Sequence, residues 1–204
     1  MRFRRQTAYC FFSLMAALGA ARAQDSAQKT PLLPQRLGPM EKMLWSEHGA
    51  MRKMFDFPLT QEGREKEMRD RRVMLTLHQL GGFATLAALA GTVYLGQQVY
   101  DGKRDLSQMH KAMAYTTAAA YFTTASLAVF TPPPMVRWGE WSSVTTHKVL
   151  GAVHFTGMLA MPVLGTIVKE QRDRTGRSDL APIHMAVGYT TLVAFAAAML
   201  VVTF

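Results

Sequence analysis

Long apolar runs alternate along the chain with short links rich in charge, Gly and Pro. Four runs, at about 73 to 97, 108 to 130, 145 to 168 and 182 to 203, each have about the twenty residues that carry a helix across a ~30 Å hydrocarbon core. The links "QQVYDGKRDLSQ", "TPPPMVRWGEWSS" and "KEQRDRTGRSDLAP" end helices and are too short to be domains. The pattern predicts an all-α membrane protein whose residues 73–204 form a four-helix transmembrane bundle.

Upstream of the spans the pattern changes twice. "MRFRR" is a positive start, "TAYCFFSLMAALGA" an apolar stretch short for a span, and "ARA" ending at Ala23 fits the small-x-small cleavage rule. Residues 1–23 therefore read as a cleaved signal peptide, and the mature chain as starting at Gln24. Residues 24–72 read as a periplasmic or interfacial segment with a Pro-rich lead, "KTPLLPQRLGP". In the "MEKMLWSEHGAMRKMF" that follows, Met40, Met43, Leu44, Met51, Met54 and Phe55 recur at roughly helical spacing. That spacing predicts a short amphipathic helix on the membrane or docked on the bundle, with packing the preferred role for the Met stripe and for His48. The charged "QEGREKEMRDRR" then leads into the first span.

Composition agrees with this organisation: 49% of residues are hydrophobic and the mean hydropathy is +0.03. Of the net charge of +9, Arg2, Arg4, Arg5 and Arg22 belong to the leader, which leaves the mature chain at +5 and gives no argument for nucleic-acid binding. The single cysteine, Cys10, leaves with the leader too. A mature chain without thiols has no disulfide, no Cys-held iron–sulfur cluster and no thioether-linked haem.

Candidate chemistry enters with histidine. The spans open "LHQLGGFAT", "MHKAMAYTT", "THKVLGAVH" and "IHMAVGYTT", so each carries a histidine near its start: His78, His110, His147 and His184. Four positions on stand Gly82, Ala114, Gly151 and Gly188; seven on stand Thr85, Thr117, His154 and Thr191. Positions i, i+4 and i+7 share one helical face. The two "YTT" runs, with "GTVYLGQ" from Gly91 resembling "GTIVKEQ" from Gly165, mark the second helix pair as a duplicate of the first.

Successive spans run in opposite senses, so His78 and His147 fall near one membrane surface and His110 and His184 near the other. A planar macrocycle between two such helices can be ligated from both faces, and the small residue at i+4 lets its edge approach the backbone. Facing imidazoles without thiolate suit bis-histidine ligation, which predicts two non-covalent b-type haems. With each histidine about 8 Å inside a ~30 Å core, the two metals would stand roughly 14 Å apart. Lys111 and Lys148, each next to a histidine, are candidates for haem propionates or for snorkelling to the interface. His154, about 10 Å deeper than His147, reads as a packing or supporting residue. The plain alternative is that intramembrane histidines are satisfied by a neighbouring Thr or carbonyl and that small-xxx-small faces only pack helices. Four ionisable residues in register, each expensive in lipid, weigh against it.

At these histidines the bundle from about 73 to 203 resembles the cytochrome b561 type of transmembrane dihaem electron carrier, whose core helices each bear an axial histidine paired between alternate helices. The matching positions are His78 with His147 and His110 with His184, each opening an "H-x-x-x-small" turn. The resemblance implies electron transfer across a bacterial inner membrane between a reductant such as quinol or ascorbate and an acceptor such as ferric iron or another cytochrome. The partners expected are membrane lipid, a quinone or a redox protein, and in one arrangement a second copy forming a homodimer. Residues 24–72 are outside the resemblance. From the signal peptide and the basic links after the first and third spans, both mature termini are expected in the periplasm. The competing class is a haem-free four-span assembly subunit or small transporter that uses the histidines for protons or metal.

Overall fold

A computed structural model describes residues 31–135 and 141–203, and among them there is helix and no strand. The leader, with Cys10 and the cleavage point at Ala23, lies outside the described residues. The helices are α1 Pro39–Trp45, α2 Ala50–Met54, α3 Gln61–Tyr100, α4 Ser107–Val129, α5 Ser143–Thr175 and α6 Ala181–Thr203. A 3₁₀ turn, Arg104–Leu106, leads into α4.

Side chains at the ends explain these limits. Thr60 caps α3, its Oγ1 accepting from the Gly63 amide at 3.1 Å, and Ser142 caps α5 by accepting from the Thr145 amide at 3.3 Å. Gly176 ends α5 at a φ of 77°, a left-handed turn that glycine takes without strain. The charged "QEGREKEMRDRR" is therefore not a link but the first twelve residues of α3, about 18 Å of helix.

Helices α3, α5 and α6 are long and apolar enough to cross a membrane. Together with the all-helical architecture they make this an all-α membrane protein. Helix α4 has the length, with 23 residues, but not the same hydropathy, because Thr, Ser and Ala take places that Val and Leu fill in α6. Its hydroxyls fold back on the helix: Thr116 donates to the Ala112 carbonyl at 3.1 Å and Ser126 to Thr123 at 2.7 Å.

Helix α3 packs on α4 and α5 on α6, and the two hairpins meet along α3 and α6. Leu89, Val93, Tyr121, Met158, Phe195 and Met199 form the core between them. Large apolar side chains such as Leu80, Tyr94, Val163, Val193 and Leu200 face outwards. An exterior of that kind is what lipid covers.

The N-terminal segment departs from the expected single amphipathic helix. A turn over residues 46–49 divides it, and Gly49 packs so closely on α1 that a Cβ there would stand 2.3 Å from the Leu44 carbonyl oxygen. Leu44, Trp45 and Phe57 make its small core, with Met51 against it. The rest of the predicted stripe is outside: Met40, Met43, Met54 and Phe55 are 50%, 60%, 73% and 53% exposed.

Docking on the bundle is ionic at its centre. Arg52 and Arg64, both buried, pair with the buried carboxylate of Glu67 on α3. Arg52 also donates to the carbonyls of Trp45, Ser46 and Phe57, at 3.2, 3.1 and 3.1 Å. Arg64 donates to Pro133 at 3.0 Å, and the Trp45 indole to Phe130 at 3.2 Å, so the segment closes over the turn that leaves α4. Burial pulls the Arg64 guanidinium below its ordinary pKa, and Glu67 pulls it back up. The segment is thus docked on the bundle.

Candidate functional site

The four repeated histidines meet in twos, each couple drawn from alternate helices. His78 of α3 and His147 of α5 have ring centres 6.1 Å apart, and His110 of α4 and His184 of α6 have theirs 6.4 Å apart; both couples cross at 89°. The hairpins are antiparallel, so the couples sit at opposite ends: His78 reaches Thr124 near the end of α4, while His110 at its start reaches Thr92 of α3. Thr92 is fourteen residues beyond His78, a rise of about 21 Å. The two couples therefore occupy well-separated levels of the bundle.

Would these residues fit a metal held between two imidazoles? A metal–nitrogen bond of about 2 Å on each side and a ring centre about 1.2 Å behind each nitrogen place the centres about 6.4 Å apart. Both couples match that spacing. Edge-to-face aromatic packing covers the same range, so distance alone does not choose. The nitrogens add to it. Nδ1 of His78 lies 2.9 Å from the Thr124 carbonyl oxygen, Nδ1 of His110 3.0 Å from Thr92, and Nδ1 of His147 2.9 Å from Ala198. A carbonyl only accepts, so each Nδ1 carries the proton and each Nε2 keeps its lone pair, the tautomer a metal needs. Among the described residues no three His, Cys, Asp or Glu side chains gather at one point, so each end of the bundle offers a metal two imidazoles.

The duplication is explicit in these bonds. Thr124 stands fourteen residues after His110 and Ala198 fourteen after His184, so His78 and His147 use equivalent acceptors. The counterpart of Thr92, fourteen after His147, is Met161, directly before Pro162 inside α5. His184 has no partner on its buried Nδ1.

The small residues at i+4 differ in what a Cβ there would meet. A Cβ on Gly82 would meet the Met199 sulfur at 3.0 Å, and one on Gly188 the Met161 methyl at 3.3 Å, so these two glycines admit methionines. Gly151 has His154 Nε2 at 3.9 Å, and Ala114 is half-buried. The glycines against histidine rings are Gly96, whose Cβ would stand 2.9 Å from His110 Cε1, and Gly165, 3.4 Å from His184 Cε1. Each lies eighteen residues beyond its span's first histidine, which corrects the expected match of Gly91 with Gly165.

At i+7, Thr85, Thr117, His154 and Thr191 are all buried. His154 accepts or donates through Nδ1 with the Tyr121 hydroxyl at 2.7 Å and lies on the Phe195 ring, centres 4.8 Å apart. Tyr121 and Phe195 each follow their helix's histidine by eleven residues, so this aromatic layer lies between the two couples. Lys111 lies over the Tyr115 ring at 5.9 Å, and Lys148 is exposed. Sequence reasoning raised a carbonyl partner but could not locate one, because main-chain groups have no letter, and it missed Gly96 and Tyr121, which the common spacing from histidine could have found. Set against known families, curated proteins and solved structures, the chain matches none.

Proposed function

We propose that the protein carries electrons across a membrane through two b-type haems, one between His78 and His147 and one between His110 and His184. The observation that supports this best is the two perpendicular imidazole couples at 6.1 and 6.4 Å, with three of the four Nδ1 atoms held by main-chain carbonyls. In this reading α4 is the fourth span, its hydroxyls satisfied within the helix as lipid requires, and the bundle is of the cytochrome b561 type. Bound haem would supply one-electron redox chemistry. His78 with His147 and His110 with His184 would each hold one haem, and ligation by two imidazoles suits electron transfer rather than oxygen or substrate binding. Thr92, Thr124 and Ala198 orient the rings through their carbonyls, Gly96 and Gly165 give room beside them, and Tyr121, His154 and Phe195 fill the layer between with side chains in place of water. The reductant and acceptor, quinol or a redox protein, would dock at the two ends of the bundle, and Lys111 and Lys148 would be available to pair with haem propionates.

The test is optical. Protein purified from haem-replete cells should give a reduced-minus-oxidised b-type spectrum and two extractable haems per chain. Colourless, folded protein would overturn the reading in favour of a haem-free subunit or transporter.

A further inference from the structure

The methionines of the N-terminal segment have no role in what precedes. Residues 40–54 contain two Met-x-x-Met pairs, Met40/Met43 and Met51/Met54, on either side of His48. Had they served packing, their side chains would be inside; the core there is Leu44, Trp45 and Phe57, while Met40, Met43 and Met54 are at least half exposed and His48 is exposed. Had they served only as an apolar face, residue type would matter little. Yet from Val73 onward the exposed large apolar side chains are Val, Leu, Ile, Phe, Tyr and Trp, with Met109 the sole methionine among the described residues. Among the described residues, exposed sulfur is concentrated in the N-terminal segment.

The fold also brings these donors into one neighbourhood. Met40 and Met43 are one turn apart on α1, close enough for both to reach one ion. Met40 lies one turn before Leu44 and Met54 one turn after Met51, Met51 packs against the small core that holds Leu44, and the two short helices pack on each other, so the two pairs belong to one folded unit. The turn carrying His48 is drawn onto the end of α1 by Gly49, whose amide bonds Ser46 at 2.9 Å and whose missing Cβ allows the contact with Leu44. Glu41, the carboxylate between Met40 and Met43, accepts from the Gly38 amide at 2.8 Å, and thioether sulfur with imidazole is a soft donor set that favours copper(I) over zinc, magnesium or calcium.

We infer that the docked N-terminal segment is a copper(I) site formed by the thioethers of Met40, Met43 and Met54 and the imidazole of His48. The inference is independent of the haem reading, since it uses neither histidine couple. Full-length protein in detergent, titrated without oxygen with copper(I) held by a chromogenic chelator, should withdraw one equivalent, and X-ray absorption of the complex should show sulfur neighbours. Replacing Met40, Met43 and Met54 together with Leu keeps the apolar surface and removes the sulfur; its affinity for copper(I) should fall at least tenfold, with the visible spectrum of the bundle unchanged. His48→Ala should weaken binding further in that background. Wild type that takes no copper(I), or a triple-Leu protein that holds it as tightly as wild type, overturns the site and leaves the methionines as an apolar seat on lipid.

Discussion

His78, His110 and His147 each end on a main-chain carbonyl, and His184, the fourth member of the repeat, does not. A donated Nδ1 proton makes an imidazole a stronger donor to an oxidised metal. Under the proposed function, the His110/His184 centre should have the more positive midpoint potential. A net hydrogen bond of about 1 kcal/mol converts to about 40 mV for one electron, and a potentiometric titration read at the two spectral components measures it. Equal potentials would show that His184 gains a partner once the site is filled. The glycines make a second, graded prediction. Gly96→Ala puts a methyl 2.9 Å from the His110 ring and must displace it, whereas Gly165→Ala meets His184 at an ordinary 3.4 Å. The first should shift the His110/His184 component in the difference spectrum, and the second should leave it nearly unchanged. Much of this was legible in sequence: the four histidines and the four buried i+7 positions follow from a 3.6-residue period alone. The role of Gly82 and Gly188 was not, because a small residue on a packed face is equally suited to a macrocycle or to the Met199 and Met161 side chains that occupy those places here.

At the level of elements, the hairpins were visible in the apolar runs, but the docking of residues 31–60 was hidden in "QEGREKEMRDRR". A run of charges ordinarily reads as a solvated face. Here Arg64 and Glu67 are buried, met by Arg52 of the docked segment and by the turn at Pro133, contacts that local pattern does not reveal. The pairing makes the docked segment vulnerable at one atom group. Glu67→Gln leaves Arg52 and Arg64 buried with like charge and no carboxylate, at a cost of about 3 kcal/mol. That corresponds to roughly a hundredfold larger open population, so limited proteolysis within residues 31–60 should accelerate while cleavage of the spans does not. Replacing Arg52 and Arg64 with Met and Glu67 with Leu removes all three charges together and should restore most of the protection. Unchanged proteolysis in Glu67→Gln would assign the docking to the Trp45–Phe130 bond and the Leu44–Trp45–Phe57 core instead.

For the whole molecule, the antiparallel hairpins make sidedness and pairing a single question. The links holding Lys103 and Arg104 and Lys169 to Arg177 lie at the His110/His184 end, where the Arg104 guanidinium donates to the Gly176 carbonyl at 3.2 Å and joins them. Positive-inside bias assigns that end to the cytoplasm, although Arg69, Arg71 and Arg72 at the opposite end pull the other way. A reporter fused after Phe204 should therefore be active in the periplasm, and cytoplasmic activity would invert the bundle without altering the couples. The couples themselves are tested by loss. His78→Ala and His147→Ala should remove the same spectral and redox component and keep the other, and His110→Ala and His184→Ala should remove the second. Each variant must first be shown to insert and accumulate, because a ligand that braces two helices stabilises them by mass action. If His78→Ala instead matches His110→Ala, centres are formed within a hairpin and not between hairpins, and the assignment by membrane side fails; if all four variants keep two normal components, the proposed ligation by these histidines fails.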